Sequence, residues 1–289
     1  MDGYKYENSM VEEYDEWREK ELLEKPVRKR RKVTAKTYHT LKNRYLTRSR
    51  IQDFYKCKDY FNKKHILGEI VGADKDVFKI GSAVDVWLTK SKKQFEKKFV
   101  AVERRNLKNP PKNYTELTMP QYQEVYDMCT ILETQPAYLD VKKHKAQQIL
   151  TYDMPIGKHF IGFAVMPDWI HFDGDTCIIT DLKTGNNVSP RKWHYHCEDY
   201  GYYLQFATIA WVVRMTRPEI KNFVYRHLVI DKDQEVKIPY VFYIDNERVE
   251  RYITKLVEQY IPEISQEELF LPKQVRWEEA ETIGEVVDY

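Results

Sequence analysis

The stretch IGKHFIGFAVMPDWIHFDGDTCIITDLKTG, residues 156–185, constrains the fold more than any other part of the chain. It is dense in β-branched and aromatic residues, and its turn signals fall too close together to leave room for helices. The spacing predicts three short strands, at about 158–165, 167–172 and 176–182. Asp173-Gly174-Asp175 predicts a tight hairpin turn between the last two, because Gly and short polar residues suit its backbone. On both sides the apolar period becomes helical. From residue 46, LTRSRIQDFYKCKDYFNKKHIL puts Ile51, Phe54, Tyr55, Tyr60 and Phe61 on an amphipathic helix, with Ser49 and Gln52 as a capping box. A second helix is expected from Ser82 to Lys98, entered through Gly81, and one or two more over about 120–146, beyond a break at Pro110-Pro111. A helical stretch runs from the Ser189-Pro190 cap to about Arg214, and a last helix from Asn246 to Tyr260. Further strands are expected near 222–230 and 237–244. This order predicts an α/β fold with a central mixed sheet flanked by helices.

Composition narrows the function classes. The chain has 289 residues, of which 42% are hydrophobic and 14% aromatic, enough apolar material for a core and too much for a disordered chain. No stretch approaches the roughly 18 apolar residues of a membrane span. The segment MDGYKYENSMVEEYDEW lacks the apolar core and cleavage site of a secretory signal. Lys and Arg number 47 against 45 Asp and Glu, a formal charge of +2, which argues against a uniformly basic coat for nucleic acid but leaves room for a local track. Residues 1–24 are acidic, and KPVRKRRKVTAK at 25–36 reverses the sign. That segment, with Arg28, Arg30, Arg31 and Lys32, reads either as a solvated linker or as an electrostatic contact to phosphates. Cys57, Cys129, Cys177 and Cys197 are far apart in sequence and form no C-x-x-C pair, so they are expected to be reduced, buried and structural.

The chemistry-bearing residues lie in the meander. Asp168 opens one predicted strand, and Asp181 and Lys183 close the next. Residues i and i+2 of a strand share a face, so Asp181 and Lys183 project side by side and Asp168 can face them across the hairpin. Carboxylates in an apolar groove suit a hard cation such as Mg²⁺ or Mn²⁺, which acidifies water and offsets phosphate charge. A lysine beside them can orient or deprotonate a nucleophile, or stabilise developing charge. By itself, D-x-K at a strand end also reads as a turn with an exposed ion pair. His194 and His196, two apart on a predicted helix, do not share a face. His159 and His171 read as strand surface positions. Neither an ATP-binding glycine loop nor a nucleophile elbow is present.

Four segments in order resemble the PD-(D/E)xK nuclease superfamily, and within it the RecB-like and RecE-like exonucleases of recombination systems and phages. They are LTRSRIQDFYKCKDYF, KIGSAVDVWLTKSKKQFEKKFV, IGFAVMPDWIHFDGDTCIITDLKTG and SPRKWHYHCEDYGYYLQFATIAWVV. The likeness covers roughly residues 46–230. It implies a restriction-endonuclease-like core, with an arm at 1–45 and the nuclease domain at 46–289. It implies metal-binding roles for Asp168 and Asp181, Lys183 as the catalytic lysine, and Gln205 in the site or on the DNA. Tyr200 and Tyr203 would touch the substrate or simply pack, and Thr184 and Gly185 would let backbone approach a phosphate. Arg191 and Lys192, at a helix start, would join the basic segment in gripping the DNA backbone.

This chain departs from the family pattern at three places. Asp85 stands where a histidine is usual and would add a third carboxylate to the metal site. Gln147 and Gln148 stand where many relatives carry Glu, and Ile209 replaces a tyrosine. The activity implied is Mg²⁺- or Mn²⁺-dependent hydrolysis of DNA by an exonuclease acting on linear ends, in phage-type recombination or DNA processing. The alternative is a weakened DNA-binding subunit of a recombination or packaging complex. A single-strand annealing partner, homo-oligomerisation and a cytoplasmic location, that of a bacterial host if the protein is phage-encoded, are implied by the same likeness.

Overall fold

The computed structural model describes residues 33–34, 38, 45–70, 76–102, 114–156, 159–186, 188–232 and 237–266, all within one compact unit, Val33–Tyr289. The expected arm and basic segment, with Arg28, Arg30, Arg31 and Lys32, lie outside the described residues apart from a few positions. Val33 and Tyr45 are buried with Ala164, and Tyr38 packs against them.

A four-stranded mixed sheet positions the site. Its strands are β5 (Trp169–Asp173), β6 (Thr176–Gly185), β7 (Asn222–Asp231) and β8 (Pro239–Tyr243), in that spatial order. β5 and β6 form the expected hairpin around Gly174, whose φ is +57°. β6 runs parallel to β7, and β8 returns antiparallel. A separate antiparallel hairpin joins β3 (Leu150–Ile156) to β4 (His159–Val165). A short parallel pair joins β1 (Phe99–Val102) to β2 (Thr115–Thr118). The sequence reading missed β1, β2 and β3. The first two are four residues each, too short to show an alternation.

Both faces of the sheet are covered. On one, Ile179, Tyr225 and Val229 pack under a core that includes Phe206, Ala207 and Ala210 of a long apolar helix. On the other, Trp169, Leu182, Leu228 and Ile230 pack against Val84, Trp87, Met128 and Leu132. Alternate residues of β6 therefore belong to different cores. The row Cys177, Ile179, Asp181, Lys183 is apolar at its start and charged at its end.

The helices follow the expected order but are more broken. α1 (Arg48–Lys56) is capped by Thr47, whose side chain accepts from the Arg50 N–H, so the cap lies two residues before the expected Ser49. α2 (Lys58–Phe61) widens into a π-helical stretch at Asn62–Leu67. The helix expected over 82–98 is two. α3 (Asp76–Asp85) continues as a π-helical stretch to Lys90, and Ser91 caps α4 (Lys92–Lys98). Gly81 lies inside α3 rather than at its entrance, where an added Cβ would stand 3.2 Å from Thr184 Oγ1. α5 (Met119–Glu133) has a complete capping box from Thr118 and Gln121, and α6 (Pro136–Val141) follows.

The long helix expected after Pro190 also divides. α7 (Pro190–Asp199) ends at Tyr200, Gly201 adopts a left-handed φ of +67°, and α8 (Tyr202–Thr216) restarts. The left-handed backbone favours glycine here, and a Cβ would also come within 2.9 Å of the movable Gln52 amide. α9 (Asn246–Lys255) and α10 (Ile261–Gln266) are joined by a π-helical stretch, and α9 and that stretch pack beside α8. A bidentate pair from Arg214 to Glu250, at 2.8 and 2.6 Å, ties α8 to α9. Among the described residues, no helix is long and apolar enough to cross a membrane.

Candidate active site

The pairing of β5 with β6 brings the predicted residues together. Asp168 stands just before β5, and its Oδ2 accepts the Leu182 N–H at 2.7 Å. Asp181 and Lys183 project from the same face of β6 and form an ion pair. Gln205, on α8, bridges them. Its Nε2 donates to Asp181 Oδ1 at 2.6 Å, and its Oε1 accepts from Lys183 Nζ at 3.5 Å. All four, with Asp85 at the end of α3, line one cavity of about 900 Å³.

Behind Asp181 is a group that sequence reading did not single out. His227 is paired with Asp181 across the parallel β6–β7 ladder, is fully buried, and holds its Nε2 3.5 Å from Asp181 Oδ2. Trp193 Nε1–H donates to His227 Nδ1 at 3.2 Å, which leaves the ring proton on Nε2, facing the carboxylate. Burial pulls the pKa of His227 down to about 3, so the ring is neutral at ordinary pH. A run of apolar positions in β7 concealed it, since one buried histidine does not disturb a strand pattern.

The carboxylates are electrostatically strained against one another. Burial, reinforced by the charges of Asp181 and Asp85, raises the Asp168 carboxyl well above its ordinary value. Asp181 is equally buried. There the Lys183 ammonium, with hydrogen bonds from Lys183 and Gln205, outweighs the burial and holds the carboxyl below its ordinary value. Burial likewise raises Asp85, against hydrogen bonding from Gln147.

These residues fit a hard divalent cation. The donors are oxygens, and Asp181 Oδ2 is a buried atom without a hydrogen bond of good geometry. Among the described residues, however, no three side chains of His, Cys, Asp and Glu form a ready metal cluster. Asp85, Asp168 and Asp181 share the cavity, but Gln147 engages Asp85 and Lys183 engages Asp181. Such a site suits Mg²⁺, which keeps several waters and takes few carboxylates.

The expected DNA contacts separate. Arg191 and Lys192 are exposed in the first turn of α7, and Tyr200 is exposed just beyond its end. Tyr203 is buried instead. Its hydroxyl lies 3.0 Å from His194 Nδ1, and its ring stacks on Tyr252 of α9, away from the cavity. Its neighbour Tyr202 takes the place beside the site, with Lys183 Nζ 4.8 Å from its ring centroid. Arg48, Lys64 and His65 also line the large cavity, although their segment read only as an amphipathic helix. His171, expected as a strand surface position, stacks on His144 at 3.8 Å.

A profile of the family described as a PDDEXK-like domain of unknown function (DUF3799) matches residues 47–268. Among solved structures, the chain resembles a protein of Eubacterium rectale, provisionally described as an exonuclease. The two are 17% identical with a TM-score of 0.61, over 82% of this chain and 86% of the other. At that identity the likeness is one of fold. A second structure, SSO0001, aligns over 52% of this chain and 64% of its own, at 11% identity and a TM-score of 0.28, and carries no argument. Comparison with curated proteins yields no match.

Proposed function

Because the chain belongs to the PDDEXK-like domain family, we propose that it is a divalent-metal-dependent deoxyribonuclease, an exonuclease that hydrolyses phosphodiester bonds at the ends of linear DNA. The single observation that carries this reading is the convergence of Asp168, Asp181 and Lys183 on one cavity, with Gln205 bridging the last two. The exonuclease description of the Eubacterium rectale structure supports the choice of reaction.

Asp168 and Asp181, with Asp85 across the cavity, would hold Mg²⁺ or Mn²⁺. When bound, the ion supplies an acidified water and offsets charge on the phosphate. Gln205 and His227 fix the orientation of Asp181 from two sides. Lys183 offers its ammonium to the phosphate or to the nucleophile. Arg191 and Lys192, with the basic segment at 28–32, would bind the DNA backbone without reading sequence, and would do so less tightly as salt rises. Recombination or DNA processing, a single-strand annealing partner and assembly into a homo-oligomer follow from the resemblance.

The test is cleavage of linear, nicked and circular DNA with Mg²⁺ or Mn²⁺. Linear DNA is expected to disappear and circular DNA to persist, and EDTA or Lys183→Ala should stop the reaction. Full activity in Lys183→Ala would remove the lysine from the mechanism. DNA binding without cleavage in any divalent metal would favour the alternative of a binding subunit, which the uncharged Gln147 beside Asp85 supports.

A further inference from the structure

A second chamber of about 470 Å³ opens beside Lys183 and is continuous with the catalytic cavity, sharing Arg48, Phe78, Gly81, Asp85, Leu182 and Lys183 with it. Its lining brings together three aromatic rings, from Phe78, Tyr200 and Tyr202, and three cations, from Arg48, Lys56 and Lys183. Two of the rings face water. Phe78 is 66% exposed and Tyr200 is 56% exposed. Core packing gives no reason to leave a phenyl ring so wet at the mouth of a site. Large exposed apolar groups beside a cavity are informative where scattered ones are not.

The rings are also arranged. Tyr200 and Tyr202 stack with centroids 5.8 Å apart and planes 30° apart, so Tyr202 backs Tyr200. Lys183 Nζ lies 4.8 Å from the Tyr202 ring, which joins this platform to the catalytic ion pair. Arg48 is held by its own hydrogen bond to Gln52, at 2.7 Å. Carboxylates of Asp85 and Asp199 also reach the chamber, so it is not a simple anion trap. Flat apolar faces combined with cations are the chemistry that receives a nucleobase and its phosphate, and stacking tolerates any base.

We propose that this chamber seats an unpaired nucleobase of the strand being cut, stacked on Phe78 and Tyr200, with the adjoining phosphate delivered to Lys183. The inference rests on the nuclease reading and specifies the substrate further: a single-stranded segment at the site. A base inside a duplex has both faces occupied by its neighbours and must leave the stack before it can lie on these rings; only the outer face of a terminal pair is free without that step.

The experiment measures binding rather than cleavage. The full-length protein in EDTA is titrated into two labelled probes, a short oligothymidylate and an abasic deoxyribose-phosphate chain of equal length, and anisotropy is read. Phe78→Ala and Tyr200→Ala are each expected to weaken oligothymidylate binding roughly 5- to 100-fold, in line with the stacking contribution of one base. The abasic probe should be held equally by all three proteins, and Tyr200→Phe should bind like the wild type. Unchanged oligothymidylate binding in both alanine variants would overturn the proposal, as would equal losses on the two probes. The two readings fail separately. Base-dependent binding without cleavage in any metal would sink the nuclease and leave the chamber, whereas cleavage with base-independent binding would sink the chamber alone.

Discussion

The side-chain amide of Gln147 grips the Asp85 carboxylate at both oxygens, with Nε2 3.2 Å from Oδ1 and 3.0 Å from Oδ2. Gln147 adopts a φ of +50°, the left-handed region that costs a side-chain-bearing residue about 1 kcal/mol or more. Its backbone N–H donates to the Asp168 carbonyl at 2.8 Å, so the strained residue ties two acids of the site together. The resemblance leads one to expect histidine and glutamate at these places; with aspartate and glutamine the negative charge lies on the Asp85 side, and an amide holds it in place.

Gln147→Glu should therefore set two carboxylates against each other. In EDTA the variant is expected to lose about 1.5 to 3 kcal/mol, the usual worth of a hydrogen bond to a charged group. Added Mn²⁺ should raise its thermal midpoint by more than it raises that of the wild type, because a cation relieves the new repulsion. Identical midpoints in EDTA would show that the amide grip contributes nothing.

Asp168→Asn should abolish cleavage and yet stabilise the metal-free protein at neutral pH. Burial and the charges of Asp181 and Asp85 raise this carboxyl in the folded state. Below the unfolded pKa of 3.8 both states are protonated and the residue costs nothing. As pH rises above that value the unfolded chain releases its proton first, and the wild type loses stability until the folded carboxyl titrates as well. Urea denaturation in EDTA at about pH 4 and about pH 8 should show the advantage of the variant growing with pH. An advantage that is equal at both, or absent, would contradict the strained acid.

Trp193→Phe removes the donor that orients His227. A buried ring nitrogen then lacks its partner, which costs about 1 to 3 kcal/mol. The histidine also becomes free to place its proton on the nitrogen remote from Asp181. Stability to urea should fall by that amount and kcat should fall with little change in KM, since the indole lies behind the carboxylate rather than on the DNA. A rise in KM alone would place Trp193 in substrate binding.

Thiol chemistry should count one cysteine in the native protein and four after denaturation. Cys57 is exposed between α1 and α2, contrary to the expectation that all four are buried, while Cys129, Cys177 and Cys197 are buried. Burial pushes Cys177 and Cys197 up to about 12 and raises Cys129 as well, which leaves almost no thiolate at neutral pH. Rapid native labelling of a second cysteine would indicate an opening of the core.

The sheet and the strand that carries Asp181 and Lys183 could be read directly from the sequence because their signals are local. Alternation in β6 places Asp181 beside Lys183, and the Gly174 turn fixes which residues oppose them. What escaped the sequence depends on packing between distant segments. His227 matters because β7 runs parallel beside β6, and the crossover between them spans two helices. Tyr202 rather than Tyr203 reaches the site because of the way α8 is turned against α9, and no periodicity settles that in a helix apolar nearly all round. Arg48 lay in a stretch whose helical character was plain, but the cavity it lines is built from many other parts of the chain, from Tyr38 to Ile209.

One residue without a side chain decides how the tyrosines meet the groove. In an unbroken helix, positions two apart point to different sides of the cylinder. The left-handed twist at Gly201 cancels that divergence, so Tyr200 and Tyr202 stack as neighbours and border the same chamber. A residue with a Cβ at this hinge would strain the left-handed backbone and push the end of the Gln52 side chain aside. The aromatic floor of the groove is thus written as much in a missing carbon as in the rings themselves.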